Sequence, residues 1–370
     1  MSTVKGMRAG VMASILAGVA LAAGIAQAQN FSTERPGSIL IFPKVVNTDV
    51  NTVIQITNTA NIVTYAHCFY VNGASVNGQP LWQVTDFELA LTRQQPTHWG
   101  VGTGRAVNPL DATRGIDPGL VPPLPPGFTG YLVCVETAVD GGPTSINSLI
   151  GVATVGTING TGGGANAVSK YNAVGIPGCG DAQGACGPTG SANDGDNILS
   201  LDNVEYAACP GGLYLNFESE GGSDPALVSA GNTASTVSTN LSLVPCGIDF
   251  ENLIPETTTL SAQLRDEFET PSSIFPIDVD CYFEAPLSAP VFSGVFTLGS
   301  GTFGNAILRP VLGTGGVPVG VPVVGVANVL RTADDGSQDT AATNLHFCTD
   351  EDAPASCVTV NSEIRLPTFQ

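Results

Sequence analysis

Apolar residues in this chain come in short runs, and Gly, Pro, Asn or Asp closes nearly every one. An amphipathic helix needs apolar positions returning every three to four residues over about 12 residues, with no Pro inside. Such stretches are hard to find here. Residues 251–270 are the best helical candidate, and the β-branched Thr257, Thr258 and Thr259 argue against it. With 45 Gly and 26 Pro in 370 residues, the expectation is an all-β chain of short strands joined by turns.

Two β-rich units are expected. The first, residues 29–155, has apolar or alternating runs at 38–42, 53–57, 63–71, 87–91, 131–137 and 146–155. Pro43 is read as ending the first run, and Asn72-Gly73 after the third is a strong hairpin signal. These strands follow one another without intervening helices, the pattern of an antiparallel sandwich. Five prolines between Pro118 and Gly127 cannot donate to a ladder, so that segment belongs on the surface. Residues 156–197, with Gly162, Gly163 and Gly164, read as a Gly-rich linker or an ordered insertion. The second unit, 198–370, offers runs at 212–217, 239–244, 257–264, 277–283, 291–298, 319–330 and 358–366.

The two halves echo each other. GYLVCVETAVDGG at 130–142 and GVANVLRTADDGS at 325–337 both read as a strand entering an Asp-Gly turn. His67, Cys68, Phe69 and Tyr70 also parallel Asp280, Cys281, Tyr282 and Phe283. A true duplication would make the chain a doubled sandwich.

Residues 1–28 read as a secretory leader. Lys5 and Arg8 form a positive start, 9–26 is apolar and uncharged, and Ala26-Gln27-Ala28 gives the small-x-small cleavage pattern. A mature chain is expected from Gln29, secreted or at the cell surface or in the periplasm of a bacterium. The leader contains two of the 12 Lys and Arg and none of the 32 Asp and Glu, so the formal charge falls from −20 to −22. A nucleic-acid partner, which needs a clustered basic face, is disfavoured. No second uncharged stretch is free of breakers over the ~20 residues of a membrane span.

Nine cysteines in an exported chain read first as disulfides. Cys179 with Cys186 and Cys348 with Cys357 would close short polar loops. Cys68 with Cys134 and Cys246 with Cys281 would join strands inside each unit, leaving Cys209 over as a thiol that is buried, free or paired with another molecule. No CxxC and no Cys/His spacing matches a structural zinc site.

The run TVIQITNT at 52–59, the aromatic strand ending in Asn72-Gly73, the alternating residues 87–91 leading to Trp99, and GFTGYL at 127–132 resemble bacterial exported Ig-like β-sandwich proteins. The resemblance covers about a third of the chain. It implies Ig-like sandwiches and a surface role, and it supplies no catalytic residues.

Candidate chemistry is sparse. His98 stands beside Trp99, near Arg93, Gln94 and Gln95; with Trp82 this set could form a glycan platform, the rings stacking on sugars and the amides binding hydroxyls. The competing expectation is that Trp99 caps the sandwich core. His67 precedes Cys68 on a strand, so with Cys68 inward His67 is expected to face out. No Gly-x-Ser-x-Gly elbow occurs. Asp194 and Asp196 leading to Asp202, and Asp334 and Asp335 leading to Asp339, place oxygen ligands around a Gly as a structural Ca²⁺ site would; the same residues also build plain turns. No other cofactor is indicated. The expected role is a non-catalytic cell-surface or extracellular structural or adhesion protein whose partners are other surface proteins, itself, or glycans. The alternatives are a glycan-binding module, with or without Ca²⁺, and a secreted hydrolase.

Overall fold

A computed structural model describes residues 32–368 apart from 78, 109–115, 158–166, 181–194, 219–234, 267, 272–273, 288–302, 312–319, 335 and 348–358. Among the described residues the regular elements are β-strands, as the turn-rich sequence predicts. The leader and the run at 291–298 lie outside the described residues.

The N-terminal unit comprises β1 (Ile39–Asn47), β2 (Val50–Asn58), β3 (Thr64–Asn72), β4 (Ser75–Val76), β5 (Gln79–Pro80), β6 (Gln83–Leu91), β7 (Pro96–Gly100), β8 (Phe128–Thr137), β9 (Leu149–Thr157), β10 (Val168–Asn172) and β11 (Val174–Ile176). Strand β1 pairs with β11 and β8, and β8 leads on to β3 and β6. Strand β2 pairs with β7 and β9, and β9 with β10. The two layers join at the corner where Asn47 meets Asn51 and again where Gly37, just before β1, bridges Leu149 of β9. Their inner faces share one core: Leu40, Phe42, Tyr70, Phe87 and Leu132 from the first layer meet Ile54, Ile56, Trp99, Ala153 and Tyr171 from the second. This is a β-sandwich.

Two expectations change here. Pro43 does not end β1; the register shifts between Phe42 and Val45, so the proline sits at a bulge, where its missing N–H costs no ladder bond. Residues 156–197 are only partly linker, because β10 and β11 complete the N-terminal sheets. Alternation over 168–172 is the signal that identifies β10: Ser169 and Tyr171 are buried, while Val168 and Lys170 are exposed.

The C-terminal unit comprises β12 (Ile198–Leu201), β13 (Leu213–Glu218), β14 (Ser235–Pro245), β15 (Ile248–Asp249), β16 (Thr257–Asp266), β17 (Phe275–Asp280), β18 (Phe283–Pro286), β19 (Phe303–Pro310), β20 (Val323–Ala333), β21 (Gln338–Asn344), β22 (His346–Phe347) and β23 (Ser362–Arg365). The sheet β17-β16-β19-β13-β22 faces the sheet β18-β14-β20-β21. Between them pack Leu213, Leu215, Leu241, Leu243, Leu260, Ile277, Leu308 and Val323. The helical candidate at 251–270 instead holds strand β16 over its middle half, where alternate burial puts Thr258, Leu260, Ala262 and Leu264 on the core face. A small sheet, β12-β23-β15, includes the parallel pair β15 and β23.

The units are fused rather than strung together. Ile39, Ile41, Phe69, Val71, Tyr131 and Val133 point away from the N-terminal core and pack on Leu199, Tyr206, Val244, Ile248, Phe250 and Ile364. The rings of Phe69 and Phe250 stack with centroids 4.1 Å apart. Strand β1 is therefore buried on both faces along its whole length, which explains its near-continuous apolar sequence. Lys44 reaches across the boundary to Glu284 (2.6 Å), and Glu284 also accepts from Asn240 Nδ2 (2.9 Å) and the Tyr282 hydroxyl (2.6 Å).

The internal echo survives at one turn. Ala138 N–H donates to Gly142 O (2.7 Å) and Gly141 N–H to Ala138 O (3.0 Å); Ala333 N–H donates to Ser337 O (2.9 Å) and Gly336 N–H to Ala333 O (2.9 Å). Gly141 and Gly336 share the left-handed conformation, with φ of 86° and 78°. The second echo fails, because Cys68 lies mid-strand in β3 while Cys281 occupies a bend between β17 and β18.

Candidate functional site

The proposed glycan platform does not form. Side chains alternate along β7: Thr97 and Trp99 face the core and His98 faces out. Trp99 is 2% exposed, meets Phe87 edge-on, and donates Nε1–H to the Tyr70 hydroxyl at 2.5 Å. Burial raises the Tyr70 phenol well above its ordinary pKa, so it stays neutral beside Trp99. Trp82, at a φ of 42°, packs against the interface between the units. His98 and Arg93 are exposed. With Trp99 in the core, the two indoles offer no shared outward face.

His67 does not face solvent, contrary to expectation. It lies on the face of β3 opposite Cys68, and the C-terminal unit covers that face, leaving His67 3% exposed. Its Nε2 is 3.0 Å from Asp86 Oδ2, and its ring lies 4.2 Å from that of Phe69.

Of the acidic residues, Asp194 and Asp335 lie outside the described residues. Asp196 Oδ1 accepts from Ile198 N–H (2.8 Å), and Asp202 Oδ1 accepts from Val204 N–H (2.7 Å) and Glu205 N–H (3.1 Å). These are Asx turns. Asp334 sits in the turn after β20, and Asp339 is exposed on β21. Among the described residues, no three His, Cys, Asp or Glu side chains gather in a metal-binding group.

Cysteine chemistry is structural. Cys68 and Cys134, directly opposed on β3 and β8, are disulfide-bonded as expected. Cys246 corrects the expectation: its partner is Cys209, and Cys281 is the buried free thiol. Cys246 follows β14 with its N–H on Pro322 O, and Cys209 exchanges a backbone bridge with Val360. Cys281 is turned away at a φ of 65°, with its thiol against the Tyr131 hydroxyl. Cys179 is also disulfide-bonded; Cys186, Cys348 and Cys357 lie outside the described residues.

Concavities among the described residues include the following two. One, of about 500 Å³, opens on the small sheet and is lined by Ser200, Asp202, Asp249, Glu256, Glu363 and Arg365 among others. Arg365 Nη2 pairs with Glu363 at 2.8 Å, and that bond raises its pKa. Burial, then the charge of Asp249, raises the Glu256 carboxyl. Its described lining is acidic, with Asp202, Asp249, Glu256 and Glu363 against Arg365, so it attracts cations. The other, about 450 Å³, lies between the units and is lined by residues including Glu34, Lys170, Asn172, Asn344, His346 and Phe347. There β10 and β21 meet edge to edge. Asn344 Oδ1 accepts from Asn172 N–H (3.2 Å) and Asn344 Nδ2 donates to Asn172 O (2.7 Å), replacing a ladder.

No family model matches the chain, and no curated protein matches it. Among solved structures, red sea bream transglutaminase aligns over 84% of this chain and 31% of its own, at 9% identity and a TM-score of 0.14. The β-glucuronidase of Bacteroides uniformis aligns over 88% and 28%, at 10% identity and a TM-score of 0.15. The chain spans less than a third of either protein, and likenesses this slight carry no argument.

Proposed function

We propose that the chain is an exported, non-catalytic cell-surface or extracellular protein, built of Ig-like sandwiches, that contacts other macromolecules or a second copy of itself. The observation carrying this reading is the continuous apolar interface between the sandwiches, with Cys209–Cys246 within it. Disulfides persist in oxidising compartments. A fused body whose halves each carry a disulfide holds its loops in fixed relation, as a contact protein requires. Loop tips supply the apolar contacts: Phe268 at the end of the β16–β17 hairpin is 77% exposed, and Val139 in the turn after β8 is 79% exposed. Edge strands are guarded rather than sticky. Pro276, Asp278 and Asp280 sit on β17, and Pro96 starts β7. Contact through loops is therefore favoured over strand addition.

The test is expression of the full chain in a bacterial host. Intact mass should place the mature terminus at Gln29, a membrane-impermeant label should reach the protein, and the immobilised mature protein should retain cells or itself. A cytoplasmic product with its leader intact and its thiols reduced overturns the reading.

A further inference from the structure

Glu136, at the end of β8, is fully buried, and among the described residues its carboxylate meets no cation. Oε2 accepts from Ser38 Oγ (2.8 Å) and Asn147 N–H (3.0 Å), and Oε1 contacts Ser148 Oγ. Ser148 Oγ continues to Thr64 Oγ1 at 3.0 Å. Asn147 carries the network outward. In a left-handed conformation (φ 60°), it accepts Gly178 N–H on Oδ1 (2.7 Å) and donates Nδ2 to Gly178 O (2.9 Å). Gly178 and its neighbours are where the chain passes between units: Ala207 N–H donates to Pro177 O (3.0 Å) and Cys179 N–H to Glu205 O (2.8 Å). Asn147 thus links one buried carboxyl to the crossing point.

We propose that Glu136 is a proton-controlled clasp, which in its neutral form holds the crossing segment 177–179 on the N-terminal sandwich and on ionising lets that segment open.

A carboxylate deprived of water and without a counter-charge is costly to ionise. Burial raises this carboxyl above its ordinary pKa, and the hydroxyl and amide hydrogen bonds lower it by less. Titratable side chains on the surrounding elements are committed elsewhere. The Tyr206 hydroxyl donates to Thr144 O (3.1 Å), Glu205 Oε2 accepts from Ser200 N–H (2.9 Å), His67 bonds Asp86, and Asp140 caps Gly142 N–H (3.2 Å). Tyr65 lies beside Thr137 on β3, and Lys44 near the far end of β1 is paired with Glu284. A group whose folded pKa is raised stabilises fully below its unfolded pKa, and that contribution is lost as pH rises through the folded value. The clasp is therefore shut in acid and loosens with alkali.

Hydrogen exchange on the intact protein reads this directly. The amide of Asn147 bonds Glu136 and that of Gly178 bonds Asn147, so both report opening. After correction for intrinsic exchange, their open fraction should rise about tenfold per pH unit from about pH 4.5 until the raised pKa is passed, then level off. Amides in the centre of β8 should not follow. In Glu136→Gln, which cannot ionise, the pH dependence should vanish. An open fraction in wild type that is flat with pH, or that grows in acid, overturns the proposal even if the variant fails to fold.

Discussion

Removing the charge pair at the unit boundary should cost more than a surface ion pair and less than a fully buried one. Lys44 Nζ and Glu284 Oε1 are 2.6 Å apart, and the two side chains are 11% and 21% exposed. Two unit charges about 4 Å apart near a protein surface attract by about 4 kcal/mol before desolvation is subtracted. Exposed pairs net about 1 kcal/mol or less. Truncating one member of a buried pair costs about 3–5 kcal/mol. Lys44→Met keeps the packed stem and leaves Glu284 with the Asn240 and Tyr282 donors, so its expected cost is about 2 kcal/mol. Glu284→Gln strands the ammonium and should cost about the same. A double-mutant cycle by urea unfolding at pH 7 should return a coupling of about 1–2 kcal/mol. Half-molar salt should change it little, because the pair is mostly out of water. A coupling below about 0.5 kcal/mol, or one erased by salt, would show that the contact lies at the boundary without holding it.

Four further outcomes follow from the described contacts. Replacing Cys68 and Cys134 by Ala opens a link between residues 66 apart and should cost about 4 kcal/mol of stability in denaturant titration, with the strand register retained. Trp99→Phe leaves the buried Tyr70 hydroxyl without its donor and should cost about 1–3 kcal/mol by urea unfolding. Burial pushes the Cys281 thiol up to about 12, so mapped alkylation at pH 8 should miss Cys281 in the native protein and reach it once unfolded. Arg105 (2.7 Å), with the Gly119 and Asn108 amides, holds the Asp117 carboxyl down at about 2. A depressed folded pKa gives stability above the ordinary carboxyl value that is lost toward the folded one. Proteolysis of the Pro118 to Gly127 segment should therefore rise between about pH 4 and pH 2 in wild type, and Asp117→Asn should be cut readily throughout.

Strand content was legible in the sequence because period-2 burial and turn residues are local properties. Residues 53–57, 87–91 and 257–264 each fall inside an observed strand. What escaped local reading depends on partners far away in the chain. Strand β11 is three residues long and exists because it pairs with Ile39, Leu40 and Ile41. Strand geometry sends His67 to the face opposite Cys68 and cannot say that both faces are covered. Cysteine pairing is legible for Cys68 and Cys134, which oppose each other on neighbouring strands, and not for Cys246, whose partner Cys209 lies in the segment between β12 and β13 and reaches it only through the folding of the C-terminal unit. The Trp99 cluster looked like a site because Trp, His, Arg and amides were adjacent in sequence, whereas the alternation of β7 separates them in space.

Strand β1 also sets an order of events for a chain delivered amino terminus first. Its outer face is completed by residues between Val244 and Leu366, which arrive 200 or more positions later. Until then Ile39, Ile41, Phe69 and Val133 form a wet apolar wall on an otherwise finished sandwich. A fragment stopped after Ile176 keeps that wall permanently and should aggregate.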